Sequence, residues 1–215
     1  GSPVVTPNFE YFLNDGTQDF GALQNFAIIN DVGTSLGIAY KADLFVVADA
    51  NGDSRDDLIT IGGLASSLDA PLHIAVFMGE PSGGFALPTS ATIINDINAD
   101  FPVTENSRDL TVGDFDLDGN IDIAISHAPE FVRILTGDGQ GTFTDQGNLK
   151  VGRNPVHVAT ADFNGDNFLD LATINQDSHS LHISFGFGDG SFGSVDTGVE
   201  DFVSIPLNNR VNLHD

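Results

Sequence analysis

The sequence predicts an all-β fold of repeated four-stranded antiparallel sheets, and three observations carry that prediction. Short apolar segments alternate with polar residues at period two, as in Ile121-Asp-Ile-Ala-Ile and Leu169-Asp-Leu-Ala-Thr-Ile, which is the pattern of half-buried strands. A nine-residue acidic segment recurs, beginning at Asp49, Asp114 and Asp162. A Gly-rich turn closed by Phe recurs in step with it, at Gly79–Phe85, Gly137–Phe143 and Gly186–Phe192, with a weaker copy at Asn14–Phe20. No segment keeps a 3.6-residue apolar period between helix caps.

Taken in order, the elements of one repeat follow from these signals. Leu44-Phe-Val-Val precedes the first acidic segment and Leu58-Ile-Thr-Ile follows it, so the segment is a loop between two strands. Phe131-Val-Arg-Ile-Leu and Leu181-His-Ile-Ser-Phe then lead into the Gly-rich turns, which read as hairpins. Each repeat is therefore strand, acidic loop, strand, strand, hairpin, strand, with repeats starting near residues 44, 109 and 157. The two units keep register: Phe20 to Asp49 and Phe85 to Asp114 are both 29 residues, and Phe143 to Asp162 is 19. The surplus falls near residues 62–71 and 92–108, which are rich in Gly, Ser, Asn and Asp, as loops are.

Four-stranded sheets repeating every ~40–65 residues predict a β-propeller whose blades pack around an axis. The expectation is one domain over residues 1–215, with about four blades or as part of a larger propeller. A pair or stack of antiparallel sandwiches is the rival architecture. The Phe residues ending the hairpins are expected to fill the space between neighbouring blades. Four hairpins stand against three acidic loops, so residues 201–207 are expected to share a sheet with residues 9–28 and close the ring.

Composition narrows the function. With 31 acidic residues against 7 basic ones, the net charge is −24. That is too few cations to neutralise a phosphate backbone, so no nucleic-acid partner is expected, nor an anionic membrane surface. Without Cys there is no disulfide framework, thiolate metal site or cysteine nucleophile. No apolar run approaches the ~18 residues of a membrane span; the longest, near Leu72–Met78, is broken by His73. Gly1-Ser2 reads as a cloning remnant.

The acidic loops carry the chemistry. They read Asp49-Ala-Asn51-Gly-Asp53-Ser-Arg55-Asp-Asp57, Asp114-Phe-Asp116-Leu-Asp118-Gly-Asn120-Ile-Asp122 and Asp162-Phe-Asn164-Gly-Asp166-Asn-Phe168-Leu-Asp170. Oxygen-bearing side chains hold positions 1, 3, 5 and 9 in all three, and Gly stands at position 4 or 6. Calcium takes six to eight oxygen ligands at flexible geometry, and three loops of this spacing predict three calcium sites. Position 7 is Arg55, Asn120 or Phe168, an inconsistency that fits ligation by a backbone carbonyl. Position 9 is expected to give both oxygens to one side of the ion. A polar turn is the bland reading of any one copy, and three equivalent copies weigh against it. An EF-hand is excluded, because position 12 is Thr60, Ile125 or Thr173 rather than Glu and the flanks are strands.

The other motifs read as structural. Gly33-Thr-Ser35-Leu-Gly37 matches a hydrolase elbow, but no helix follows the Ser. The Gly-rich turns lack the Lys and helix of a phosphate cradle. The six His are scattered, and His179 with His182 lacks a third ligand, so they read as ordinary strand and loop residues. The absence of Trp and the presence of only two Tyr weaken sugar stacking while leaving other sugar sites open.

The pairing of an acidic nine-residue loop with a downstream Gly-Asp-Gly-x-Gly-x-Phe hairpin, over about Phe9 to Phe192, resembles the FG-GAP repeats of integrin α-subunit propellers and their bacterial VCBS-type relatives. That resemblance implies an extracellular or cell-surface protein that takes part in adhesion or carries an attached enzyme. The preferred expectation is a non-enzymatic binding or adhesion module with structural calcium, recognising a protein or glycan. The alternatives are a propeller belonging to a secreted enzyme acting on polysaccharide or lipid, and an architectural spacer in a larger surface protein.

Overall fold

The computed structural model describes residues 10–11, 24–25, 40–64, 72–81, 84–86, 91–94, 107–193 and 202–207. The weak hairpin copy at Asn14–Phe20 and the Ser35 motif lie outside the described residues. Every described element is a β-strand. In chain order these are β1 (Glu10–Tyr11), β2 (Gln24–Asn25), β3 (Tyr40–Ala48), β4 (Asp57–Leu64), β5 (Leu72–Phe77), β6 (Ala91–Ile94) and β7 (Ser107–Gly113). They continue as β8 (Asp122–His127), β9 (Phe131–Gly137), β10 (Phe143–Lys150), β11 (Pro155–Ala161), β12 (Asp170–Asn175), β13 (Ser180–Ser184) and β14 (Phe202–Pro206).

The strands form three four-stranded antiparallel meanders, β3-β4-β5-β6, β7-β8-β9-β10 and β11-β12-β13-β14, together with the short pair β1-β2. Each meander has the predicted order, with the acidic loop joining its first two strands and the Gly-rich hairpin leading into its last. One expectation is corrected. β14 pairs with β13, with Leu181 opposite Ile205 and Ile183 opposite Val203, so residues 202–206 complete their own sheet, while the described residues 10–11 and 24–25 form a separate pair. The physical reason is local: a short connection from β13 makes an antiparallel neighbour cheaper to close than a distant one.

The chain divides into two compact units, Gly1–Glu105 with Asp138–Thr142, and Asn106–Gly137 with Phe143–Asp215. In the first, Leu58, Ala75 and Phe77 are buried and Phe85, the hairpin-closing residue, packs on them. In the second, Ala124, Val132, Ile134 and Leu149 of one sheet meet Val158, Leu171 and Phe192 of the next. Phe192 stands edge-on to Phe115, with ring centroids 5.3 Å apart. A hairpin-closing Phe thus fills the space between two sheets, as expected.

Two backbone features recur in the meanders. The first strand of each carries a register shift, between Ala42 and Leu44, Ser107 and Asp109, and Pro155 and His157. Each extra residue lies six positions before the first Asp of the loop, and bulges of this kind bend and twist a strand. The first Gly of each hairpin is packed against main chain. A Cβ on Gly79, Gly137 or Gly186 would lie 2.5, 2.2 or 2.2 Å from the carbonyl oxygen of Asp56, Ile121 or Leu169. Gly137→Ala is therefore expected to lower stability by about 1–3 kcal/mol, as overpacking does. Urea unfolding should give the same loss in chelator and in calcium, and an unchanged midpoint would show that the strand can move aside.

Candidate functional site: the acidic loops

Each loop is organised first by its own peptide N–H groups. The position-1 carboxylate accepts the N–H of position 6: Ser54 to Asp49 at 2.8 Å, Gly119 to Asp114 at 3.0 Å and Asn167 to Asp162 at 2.9 Å. Position 3 accepts the N–H of position 5, with Asn51, Asp116 and Asn164 bonded by Asp53, Asp118 and Asp166. Position 5 accepts the N–H of position 7, with Asp53, Asp118 and Asp166 bonded by Arg55, Asn120 and Phe168. Successive short bonds of this type wind the loop so that alternate side chains gather on its inner side.

The winding needs left-handed backbone at two places. Position 4 has positive φ in all three loops (Gly52 72°, Leu117 61°, Gly165 81°), and so does position 6 (Ser54 63°, Gly119 86°, Asn167 71°). The single Gly visible in each loop marks only one of these turns. Ser54 and Leu117 adopt the second conformation without glycine's freedom.

Position 9 has a role that sequence reasoning missed. Asp57, Asp122 and Asp170 are all 0% exposed, and each accepts two peptide N–H groups from separate segments. One oxygen receives the N–H of loop position 2, from Ala50 at 2.9 Å, Phe115 at 2.7 Å and Phe163 at 2.8 Å. The other receives the N–H of the first hairpin Gly, from Gly79 at 2.7 Å, Gly137 at 2.9 Å and Gly186 at 2.9 Å. The only sequence signal for this link is that every acidic loop is followed by a Gly-initiated hairpin. A carboxylate offers about four lone-pair sites, so these two bonds leave room for a further ligand.

The three loops differ in how their carboxylates converge. Oxygens of Asp114, Asp116 and Asp122 lie within 4.8 Å of one another, the one such acidic group among the described residues. Oδ1 of Asp114 is buried without a hydrogen-bond partner. Burial, with Asp116 and Asp118 adding repulsion, pushes the Asp122 carboxyl up to about 6 against the pull of the Gly137 and Phe115 N–H groups. In the third loop the Asn167 N–H, joined by those of Gly165 and Asp166 against some desolvation, holds the Asp162 carboxyl below its ordinary value. In the first loop Asp53 is paired with the Arg55 guanidinium, whose Nε also donates to the carbonyl of Gly79 at 2.9 Å. Side chains at position 7 therefore matter: Arg55 pairs with Asp53, and Asn120 donates to Asp118 at 2.8 Å.

A second feature lies outside the loops. A crevice of about 300 Å³ opens beside the bulge of β10 and is lined in part by Gln146, Asn148, Asp189 and Ser191 over Ile134 and Leu149. Ser191 donates to Asp189 through its N–H at 3.0 Å and through its hydroxyl. The composition of the chain does not mark this site. It is assembled from the strand of one sheet and the hairpin of the next.

The antiparallel four-stranded sheets are those of an all-β propeller, and a solved lectin structure agrees in fold. A lectin from Agrocybe aegerita that recognises non-reducing terminal N-acetylglucosamine is similar with a TM-score of 0.55 and 19% identity over 93% of this chain. The chain spans 46% of that lectin chain. The Photorhabdus luminescens Tc holotoxin pore is also similar, at 18% identity over 92% of this chain and 8% of its own, with a TM-score of 0.35. Residues 114–173, from the second loop through the third into β12, match the FG-GAP-like repeat family. No curated protein matches the sequence.

The buried bridge at position 9 makes a direct test possible. Asp170→Asn keeps the shape but turns an amide NH₂ toward one of two peptide N–H donors. Loss of a buried acceptor should destabilise the protein by about 1–3 kcal/mol. The loss is expected even in chelator, measured by urea unfolding; equal stability there would leave the carboxylate with no structural role.

Proposed function

We propose that the chain is a calcium-stabilised binding module of the extracellular or cell-surface kind, a single propeller domain rather than an enzyme. The observation that carries this reading is the convergence of Asp114, Asp116 and Asp122 around an orphaned Asp114 oxygen. Three carboxylates brought this close repel one another and favour a cation, and an all-oxygen donor set suits calcium. The side chains at positions 1, 3, 5 and 9 of each loop would hold the ion, with the carbonyls of Arg55, Asn120 and Phe168 adding an oxygen. The second loop is read as the tightest site, having Asp at all of positions 1, 3, 5 and 9 where the others have Asn at position 3. The first is weakened by Arg55, which already neutralises Asp53.

The ligand of the module is read as a protein or a glycan. The glycan arm is favoured by the crevice, where amides, a carboxylate and a hydroxyl surround an apolar floor. A site with few polar groups on an apolar lining is the usual form of a small-ligand pocket. The lectin's recognition of N-acetylglucosamine supports a saccharide as the first ligand class to try.

Calcium should raise the melting temperature. At free calcium ten times a Kd of about 10⁻⁴–10⁻³ M, each site adds roughly 1.4 kcal/mol. Three sites give on the order of 4 kcal/mol, or roughly 8–16 °C for a chain of this size. Differential scanning calorimetry in excess chelator and in millimolar calcium decides it, and identical melting would end the proposal.

The second loop should also bind calcium less well in acid. A carboxyl whose folded value is raised from 3.8 to about 6 holds a proton in the ion-free fold that the unfolded chain has lost. The fold therefore gains stability from Asp122 as pH falls from 7 through 6 toward 3.8, while calcium must displace that proton. Calorimetric titration of an Asp53→Ala, Asp166→Ala double variant, which leaves the second loop whole, should show affinity falling between pH 7.5 and pH 5. Constant affinity across that range would show that Asp122 takes no part in the site.

A further inference from the structure

The side chains around Gly188 break the pattern of the repeat in one direction. Loop position 4 is Gly52 and Gly165 in two copies but Leu117 in the other. Position 7 is Arg55 and Asn120 elsewhere but Phe168 here, and the residue after the first hairpin Gly is Glu80 and Asp138 elsewhere but Phe187 here. The fold brings Leu117 and Phe168 together at Gly188, beside Phe187 in the chain. A Cβ on Gly188 would lie 2.6 Å from the Phe168 ring and 3.2 Å from Leu117 Cδ1, and Phe187 is the next residue along.

Folding does not account for the cluster. Leu117 sits at φ 61°, a conformation disfavoured for a side chain with a Cβ, and it is 56% exposed. Phe187 is 46% exposed. A strained leucine facing water where the sister loops carry Gly gains neither backbone comfort nor burial, and such outliers concentrate at functional surfaces. The rim has one sign of charge: residues 114–122, 162–170 and 186–192 contain eight Asp, all but the buried Asp122 and Asp170 reaching solvent, and no Lys or Arg. The hairpin is seated on the second loop by the Gly190 N–H, which donates to the carbonyl of Phe115 at 3.0 Å.

We propose that Leu117, Phe168 and Phe187 form a docking surface for a protein segment that presents a large apolar side chain flanked by Lys or Arg. The apolar centre excludes a purely polar ligand, and the acidic rim repels an anionic lipid surface and a second copy of this strongly acidic chain. Charge of opposite sign at the rim steers and selects the partner, and an apolar anchor in the centre supplies most of the affinity. The proposal deepens the reading of the chain as a binding module; an ion in each of the two loops would lower the charge of these segments from −8 to −4 without changing its sign, so the surface stands whether or not the melting test succeeds.

The test uses the full chain and a fluorescent peptide of sequence Lys-Lys-Leu-Phe-Leu-Lys-Lys, with a Glu-flanked peptide of the same apolar core as control. Fluorescence anisotropy should show binding of the Lys-flanked peptide alone, weakening at least tenfold from 50 to 300 mM salt. Leu117→Gly, the residue of the sister loops, and Phe187→Asp, the residue type of the second sheet's hairpin, should each weaken binding tenfold or more without lowering the melting temperature. Absent binding, equal binding by the variants, or equal binding of both peptides would overturn the proposal. So would a fall in melting temperature with Leu117→Gly, which would show that the leucine serves the fold. Co-sedimentation with phosphatidylserine vesicles that the variants abolish would assign the surface to a membrane instead, and a variant-sensitive dimer in sedimentation would assign it to a second copy.

Discussion

A buried aspartate that bonds two distant peptide groups is the interaction on which each repeat depends. Asp57, Asp122 and Asp170 hold the start of the acidic loop with one oxygen and the start of the hairpin with the other. The bond fixes the two turns at one end of the sheet relative to each other, whatever the number of residues between them. It also sets the neighbouring sequence. The hairpin must begin with Gly, because the carbonyl oxygen of the residue before the aspartate lies within 2.2–2.5 Å of where a Cβ would stand. Asn cannot replace Asp without turning donor against donor, and Glu would overreach the pocket by a methylene.

This constraint places the acidic loops on a scaffold held by peptide groups alone. Peptide N–H groups wind each loop, and the hairpin anchors its far end. The loops then differ by the charges set on that common frame. Three carboxylates converge at the second loop, amide side chains dilute the charge at the third, and Arg55 occupies part of the first. One backbone plan thus presents three acidic loops of graded charge.

Much of this was legible in the sequence. Period-two alternation located the strands flanking all three acidic loops, and the repeat of loop and hairpin gave their order within each sheet. The lone Gly of each loop signalled a tight turn. Two matters were hidden. The second left-handed position falls on Ser54, Leu117 or Asn167, and of these only Asn is a residue type that favours it. The double bond of the position-9 Asp was hidden because a carboxylate looks the same whether it faces an ion or a peptide N–H. The pairing of β14 was misjudged because the number of hairpins and loops, not local chain geometry, was used to place it.

Every long sheet is closed by strands drawn from one continuous stretch of chain, down to β14 beside β13. A tandem duplication or loss of one unit would leave each remaining ladder whole. Such a protein can change its length over evolutionary time in whole modules without passing through a broken sheet. Neighbouring modules can also carry different side chains on one backbone plan, as Leu117 and Phe168 do around Gly188.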